Sequence, residues 1–243
     1  MKRRYSKNLP FVESGFRACW ANANELQMAA RILIEAEKFG VALSISVLSM
    51  EEIGKMMFLD GLLLSVADDY KEQAFKSGFR RHQSKLAFLD LFPFFYNNLA
   101  MVDPRYRIPE FKQAIAISIM ALKNERAALS TFLGDACDLS DLDVWKQKGF
   151  YSSENNGKIS PPIKIVPREF AEAVRTVAWR YATCVDFVLR DGNIDRYFEN
   201  ANSLRSKIDE DTWKKVELRS ERVVKEFFES LEPTNEGSTK LEI

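Results

Sequence analysis

Residues 39–60 read FGVALSISVLSMEEIGKMMFLD. Between Lys38 and Asp60 the only charges are Glu51, Glu52 and Lys55, and apolar residues occupy every side of the helical wheel. A helix that is apolar all round is a buried helix. Charges inside it are costly unless paired, so these three must satisfy one another or serve a site. At about 100° per residue, Lys55 lies about 40° from Glu51 and about 60° from Glu52, so the trio shares one arc and is placed to touch. Glu52 also falls on the stripe Val41, Ile45, Leu48, Met56, Leu59 and Leu63, the side expected to face a bundle centre, and Gly54 permits close approach. Two readings stand side by side. One is a structural ion cluster at a helix crossing, and the other is the wall of a polar pocket in which Lys55 is aimed at a phosphate or a partner.

Working outward, apolar residues at threes and fours predict helices and no run of alternation demands a strand, so the fold class is all-α. A first helix is expected over 10–38, with Phe16, Trp20, Leu26, Ala30, Leu33 and Ala36 on one face and a stop near Gly40. The buried helix covers 41–66. The connector ADDYKEQAFKSGFRR leads to a third helix over 82–97, which Pro93 should kink or end. MVDPRYRIPE breaks the pattern. A fourth long helix over 108–132 carries Phe111, Ile115, Ser118, Leu122, Leu129 and Phe132 on one face, with Gly134 as its stop. Four such helices make a bundle.

Residues 134–166 are rich in Gly, Pro, Ser and Asn and read as a long loop. Trp145, Phe150 and Tyr151 argue that this loop is ordered and packs on the bundle, because disordered segments are poor in aromatics. Helices over 168–189 and 212–231 follow, with DGNIDRYFEN as their joint. The expected organisation is a bundle with its loop over 1–166, additional helices packing on it over 167–231, and a flexible tail over 232–243.

The chain has 243 residues, 46% of them apolar, enough for a sizeable core. Lys plus Arg and Asp plus Glu both number 35, so no overall positive field gathers nucleic acid, and any RNA contact would have to be local. Neither DNA nor membrane is an expected partner. The basic start, MKRRYSKNLP, runs into a polar amphipathic stretch rather than the apolar core of a signal peptide, and no run reaches the roughly 20 apolar residues of a membrane span. A cytoplasmic location is expected. Cys19, Cys137 and Cys184 form no C-x-x-C pair and read as packed thiols.

His82 is the single histidine, one helical turn before Lys85 in RRHQSKLAFL, and both are placed to point toward the bundle. It is either a packed or surface residue or the one neutral-pH proton carrier the chain possesses. KNERAALSTF sets Glu125 and Arg126 where an apolar stripe would otherwise continue, as a salt bridge or as part of a site. A di-iron bundle needs E-x-x-H on two helices, whereas this chain has EEIGK, so no metal site and no cofactor are expected.

ALSISVLSMEEIGKMMFL, RRHQSKL, KNERAALSTF and WKQKGFYSSENNGKISPP together resemble the AbiV group of bacterial abortive-infection proteins, a branch of the HEPN superfamily. The likeness spans residues 25–162 and rests on E-E-x-G-K, then H-x-x-K, then K-Q-x-G-x-Y followed by a polar turn and proline. It implies a HEPN-like bundle that dimerises and acts in defence against phage. It also implies a metal-independent ribonuclease, in which a histidine moves protons and an arginine stabilises the phosphorane. The superfamily's R-x4-6-H motif is missing: the permitted positions before His82 hold Ser77, Lys76 and Phe75, and Arg80 and Arg81 are too close. Two hypotheses follow. In the first, His82, Lys85 and Arg126 are catalytic, Glu51 or Glu52 orients Lys55, and cleaved RNA halts translation. In the second, a non-catalytic protein senses a phage protein or binds the translation machinery, using Trp145, Lys148 and Tyr151.

Overall fold

The computed structural model describes residues 9–64, 82–134, 139–151, 153–155, 158–160, 166–189 and 193–207. The expected helix over 212–231, the tail over 232–243, the connector over 67–81 and Cys137 lie outside these described residues. Helix α1 spans Leu9–Glu35 and α2 spans Phe39–Leu64, joined by a tight turn in which Glu37 adopts a positive φ of 57°. Along α2, Leu43, Val47, Met50, Ile53, Met56 and Leu59 are all 1% exposed or less, so the all-round apolar pattern does mark the central helix. Its serines are buried and satisfied by backbone carbonyls: the Ser46 hydroxyl donates to the Ala42 carbonyl at 2.8 Å, and Ser49 to the Ala23 carbonyl of α1 at 3.0 Å.

The third helix is interrupted rather than continuous. Helix α3, His82–Ala87, passes into a 3-10 turn over Phe88–Leu91, and α4 then runs Phe92–Val102. Pro93 therefore sits at the start of α4, where its missing N–H has no intrahelical acceptor to lose, instead of ending a helix. Asp103 caps a second 3-10 turn, Pro104–Arg107, by accepting from the Arg105 N–H at 3.0 Å. Helix α5 covers Pro109–Ala128, and a single turn α6, Ser130–Leu133, ends at Gly134 with φ of 86°, as the glycine stop predicts.

The expected loop holds more regular structure than its composition suggests. A 3-10 turn over Leu139–Asp141 leads into helix α7, Leu142–Phe150, and then a two-stranded antiparallel ribbon pairs β1, Ser153–Asn155, with β2, Lys158–Ser160. This ribbon is the one strand pair among the described residues, and the all-α class stands. Helix α8, Arg168–Leu189, matches its expected bounds. Of DGNIDRYFEN, read as a joint, residues 193–200 belong instead to helix α9, Asn193–Lys207, whose Ile194, Tyr197, Phe198 and Ala201 are buried.

Helix α2 lies between α1, α7 and α8, with α3 and α4 crossing it. Phe170, Val174, Val177, Tyr181 and Val185 of α8 join Phe16 of α1 and Phe92 and Phe95 of α4 in one continuous core. Helix α5 packs on the side of α8, and Leu122 is its single fully buried residue among those described. The fourth long helix against α2 is therefore α8, while α5 takes an outer position.

Candidate functional site

The first charged pair on α2 is local. Lys55 Nζ donates to Glu52 Oε1 at 2.5 Å, one turn apart, with both side chains mostly buried. Glu52 also meets the thiol of Cys19 across the α1–α2 contact. Burial first, and the Glu52 charge second, push that thiol up to about 12, so it is an inert packed group rather than a nucleophile.

Glu51 does not join this pair, which corrects the expectation that the trio would touch. Its carboxylate is 2% exposed, and Lys146 Nζ of α7 donates to Oε1 at 2.6 Å. Lys85 Nζ of α3 stands 3.6 Å from Oε2, and Asp143 lies 2.5 Å from Lys146 Nζ on the other side. Glu51, Lys85 and Lys146 are 2%, 7% and 2% exposed, so four charges from three helices meet in the interior. On an α-helix Glu51 and Glu52 diverge by about 100°, and here that angle is enough to give each its own partners.

Backbone contacts fix the arrangement. A Cβ on Gly54 would lie 1.8 Å from the Lys85 carbonyl oxygen, so only glycine lets α3 cross α2 at the height that brings Lys85 to Glu51. A Cβ on Gly149 would lie 2.3 Å from the Gly40 carbonyl oxygen, and the Ser44 hydroxyl donates to the Lys146 carbonyl at 2.7 Å. Helix α7 is thereby seated on the first turns of α2, with Lys146 reaching inward.

Each of the three motifs thus supplies one charge: Glu51 from EEIGK, Lys85 from HQSK and Lys146 from KQKGFY. Lys146 and Asp143 were missed by the sequence reading, which singled out their neighbours Trp145, Lys148 and Tyr151. The available signal was the lysine of K-Q-x-G-x-Y, whose glycine sits three residues later.

The other candidates are dispersed around this cluster. His82 is the first residue of α3, and its side chain lies outside what the structure describes. Arg126 donates to Asp90 at 2.8 Å and lies 3.4 Å from the hydroxyl of Tyr181. Its neighbour Glu125 accepts three bonds from Arg180 of α8, at 2.6, 2.9 and 3.1 Å, so that part of KNERAALSTF is a salt bridge between helices. Trp145 packs edge-on against Phe170 with ring centroids 5.0 Å apart, and Lys148 Nζ sits 4.9 Å from the Trp145 ring centroid. Tyr151 is exposed. Of the three loop residues, Trp145 is an anchor and Tyr151 projects outward.

A second polar cluster lies farther along α2. Asp60, 2% exposed, accepts from the Asn98 amide of α4 at 2.5 Å and from the hydroxyl of Tyr197 of α9. Burial among neutral donors pushes the Asp60 carboxyl up to about 7. Among the described residues no helix is long and apolar enough to cross a membrane.

No curated protein and no solved structure matches the chain. The family model of the AbiV branch of HEPN proteins does, over residues 11–182. That span begins before the motif-bearing stretch and ends well inside α8, so it takes in all four residues of the central cluster. With more than half its length matched, the chain belongs to the AbiV family of abortive-infection proteins in the HEPN superfamily.

Proposed function

We propose that this AbiV protein acts in defence against phage by binding a macromolecular partner rather than by cleaving RNA itself. One observation carries the reading: among the described residues, the candidate cations of the three motifs and of KNERAALSTF are already engaged. Lys85 and Lys146 face Glu51, Lys55 faces Glu52, and Arg126 faces Asp90. A buried ammonium with a carboxylate at hydrogen-bond distance has little charge left to offer a phosphorane. The missing R-x4-6-H motif supports the same reading. A phage protein as trigger and the translation machinery as target are the partner classes, and a homodimer is the working unit, to be measured by light scattering.

The ribonuclease reading draws its support from His82, which opens the helix that delivers Lys85 to the cluster. Sequencing RNA ends from infected cells that carry wild type or His82→Ala decides between the two. The expected result is restriction of phage by both proteins, with no RNA ends that depend on His82. Ends that appear with wild type and vanish with His82→Ala overturn the binding reading.

A further inference from the structure

We infer that α9 is a proton-controlled latch, docked on the bundle through Tyr197 and loosened when Asp60 gives up its proton. Helix α9 lies beyond residue 182, where the match to the family model ends, so it is an addition to the part of the chain that the family shares. It packs on α2, α4 and α8. Ile194, Tyr197, Phe198 and Ala201 are its buried residues among those described, and Phe198 meets Phe16 of α1 edge-on with ring centroids 5.6 Å apart. The ion pairs of Asp195 with Arg17 of α1 and of Arg196 with Asp103 flank this contact. Asp195 and Arg196 are 65% and 56% exposed, and pairs with one partner this wet contribute little.

The buried polar contact of α9 is the Tyr197 hydroxyl, which donates to Asp60 Oδ1 of α2. Asn98 of α4 donates to Oδ2 at 2.5 Å. Among the described residues these two neutral donors are the groups that face the carboxyl, and no charged group of α1, α3, α4, α7, α8, α9 or the 3-10 turns acts on it. Tyr106 of the second 3-10 turn is the further titratable group beside Tyr197. Burial first, and the Asp60 charge second, push the Tyr197 phenol well above its usual range, so it stays a donor at neutral pH. Asp60 is therefore the member of this contact that changes charge near neutrality, its carboxyl pushed up to about 7 by burial. When α9 leaves, water replaces the phenol and Asp60 returns to an ordinary aspartate near about 4. Between those values opening releases a proton, so the open form gains up to about tenfold per pH unit, and above 7 both forms are ionised and the gain stops. Docking is thus fully favoured below about pH 4 and loses that advantage as pH rises through 7.

This inference goes beyond the binding reading and does not depend on it. The test is amide hydrogen exchange of the full chain, read by mass spectrometry from pH 5 to pH 8 and corrected for intrinsic rates, on wild type, Asp60→Asn and Tyr197→Phe. Asparagine keeps the shape of the protonated acid, and circular dichroism checks that both variants fold. In wild type, protection over residues 193–207 should be at least about tenfold lower than over residues 43–59 of α2, because α9 opens while the bundle stays closed. That protection should fall about fiftyfold to a hundredfold from pH 5 to pH 8 in wild type and stay level in Asp60→Asn. In Tyr197→Phe the ionised carboxylate has lost its donor from α9, so the fall should continue past pH 7. Equal protection of α9 and α2 in wild type overturns the latch, because α9 then opens only with the whole chain, and this comparison needs no variant. Protection of α9 that ignores pH also overturns it, since opening then never reaches Asp60, as does a fall that Asp60→Asn shares. A fall in Tyr197→Phe that levels off at pH 7 removes the phenol from the device and overturns it as well.

Discussion

Glu51 and Asp60 sit nine residues apart on α2, about 180° around the helix from each other, and both are 2% exposed. Glu51 meets two ammonium groups and forms a charged junction of three helices. Asp60 meets an amide and a phenol and has a carboxyl pushed up to about 7 by burial. The difference teaches that a buried acid is solved either by bringing cations to it or by surrounding it with neutral donors. The first solution leaves stability dependent on every partner of the junction, and the second makes it depend on pH.

The sharpest way to break the comparison is to stop the charged junction from assembling. Gly54→Ala places a methyl against the Lys85 carbonyl, so α3 must move off α2, and a loss of about 3 kcal/mol or more is expected in urea unfolding. A variant that unfolds like wild type would show that α3 moves freely and that the glycine contact fixes nothing. Next in size is Lys146→Met, which keeps the packing of α7 but strips Glu51 of its nearer ammonium. Its expected cost is about 3 kcal/mol. If Lys146→Met is neutral or stabilising, the junction is an ordinary helix contact and the three motifs are not energetically joined.

Asp60→Asn sharpens the other half. An unfolded aspartate titrates near about 4, and the folded one at about 7, so between those values the unfolded chain binds fewer protons. The contribution of Asp60 is therefore fully present below about pH 4 and lost as pH rises through 7. Relative to Asp60→Asn, wild type should lose on the order of 2 kcal/mol between pH 5 and pH 8, read from unfolding curves at each pH. Parallel pH profiles for the two proteins would mean that Asp60 is hydrated or paired in solution. The smallest effect is expected from Lys55→Ala, about 1 kcal/mol, because the Glu52–Lys55 pair is local and partly wet. A loss there as large as that of Lys146→Met would restore the trio as a single unit.

Much of the fold was legible because it rests on periodicity. The apolar wheel of residues 39–60 identified the central helix, and the helix expected over 168–189 is α8 to its ends. Helix α7 was hidden because LDVWKQKGF is short and amphipathic over barely two turns, with glycine one position before its end. Helix α9 was hidden by its polar surface, since only four of its described residues carry it into the core. The site was legible in Glu51 and Lys85 and not in its pairings. Glu51 was visible as an anomaly, but its partner Lys146 lies 95 residues away, and no local pattern marks which lysine will be brought to it. Helical angles alone placed Glu51, Glu52 and Lys55 together, and they failed because they contain no information about what the other helices deliver.

The junction at Glu51 also has a schedule. During synthesis, α1, α2 and α3 leave the ribosome before residues 139–150 have been made, so a nascent chain can dock its first helices with Lys85, and not yet Lys146, beside Glu51. The carboxylate gains its nearer ammonium when Lys146 emerges and α7 is laid across Gly40 and Ser44. Translation must therefore pass the third motif before the junction is complete, and a chain cut short ahead of it leaves Glu51 with the ammonium at 3.6 Å and without the one at 2.6 Å.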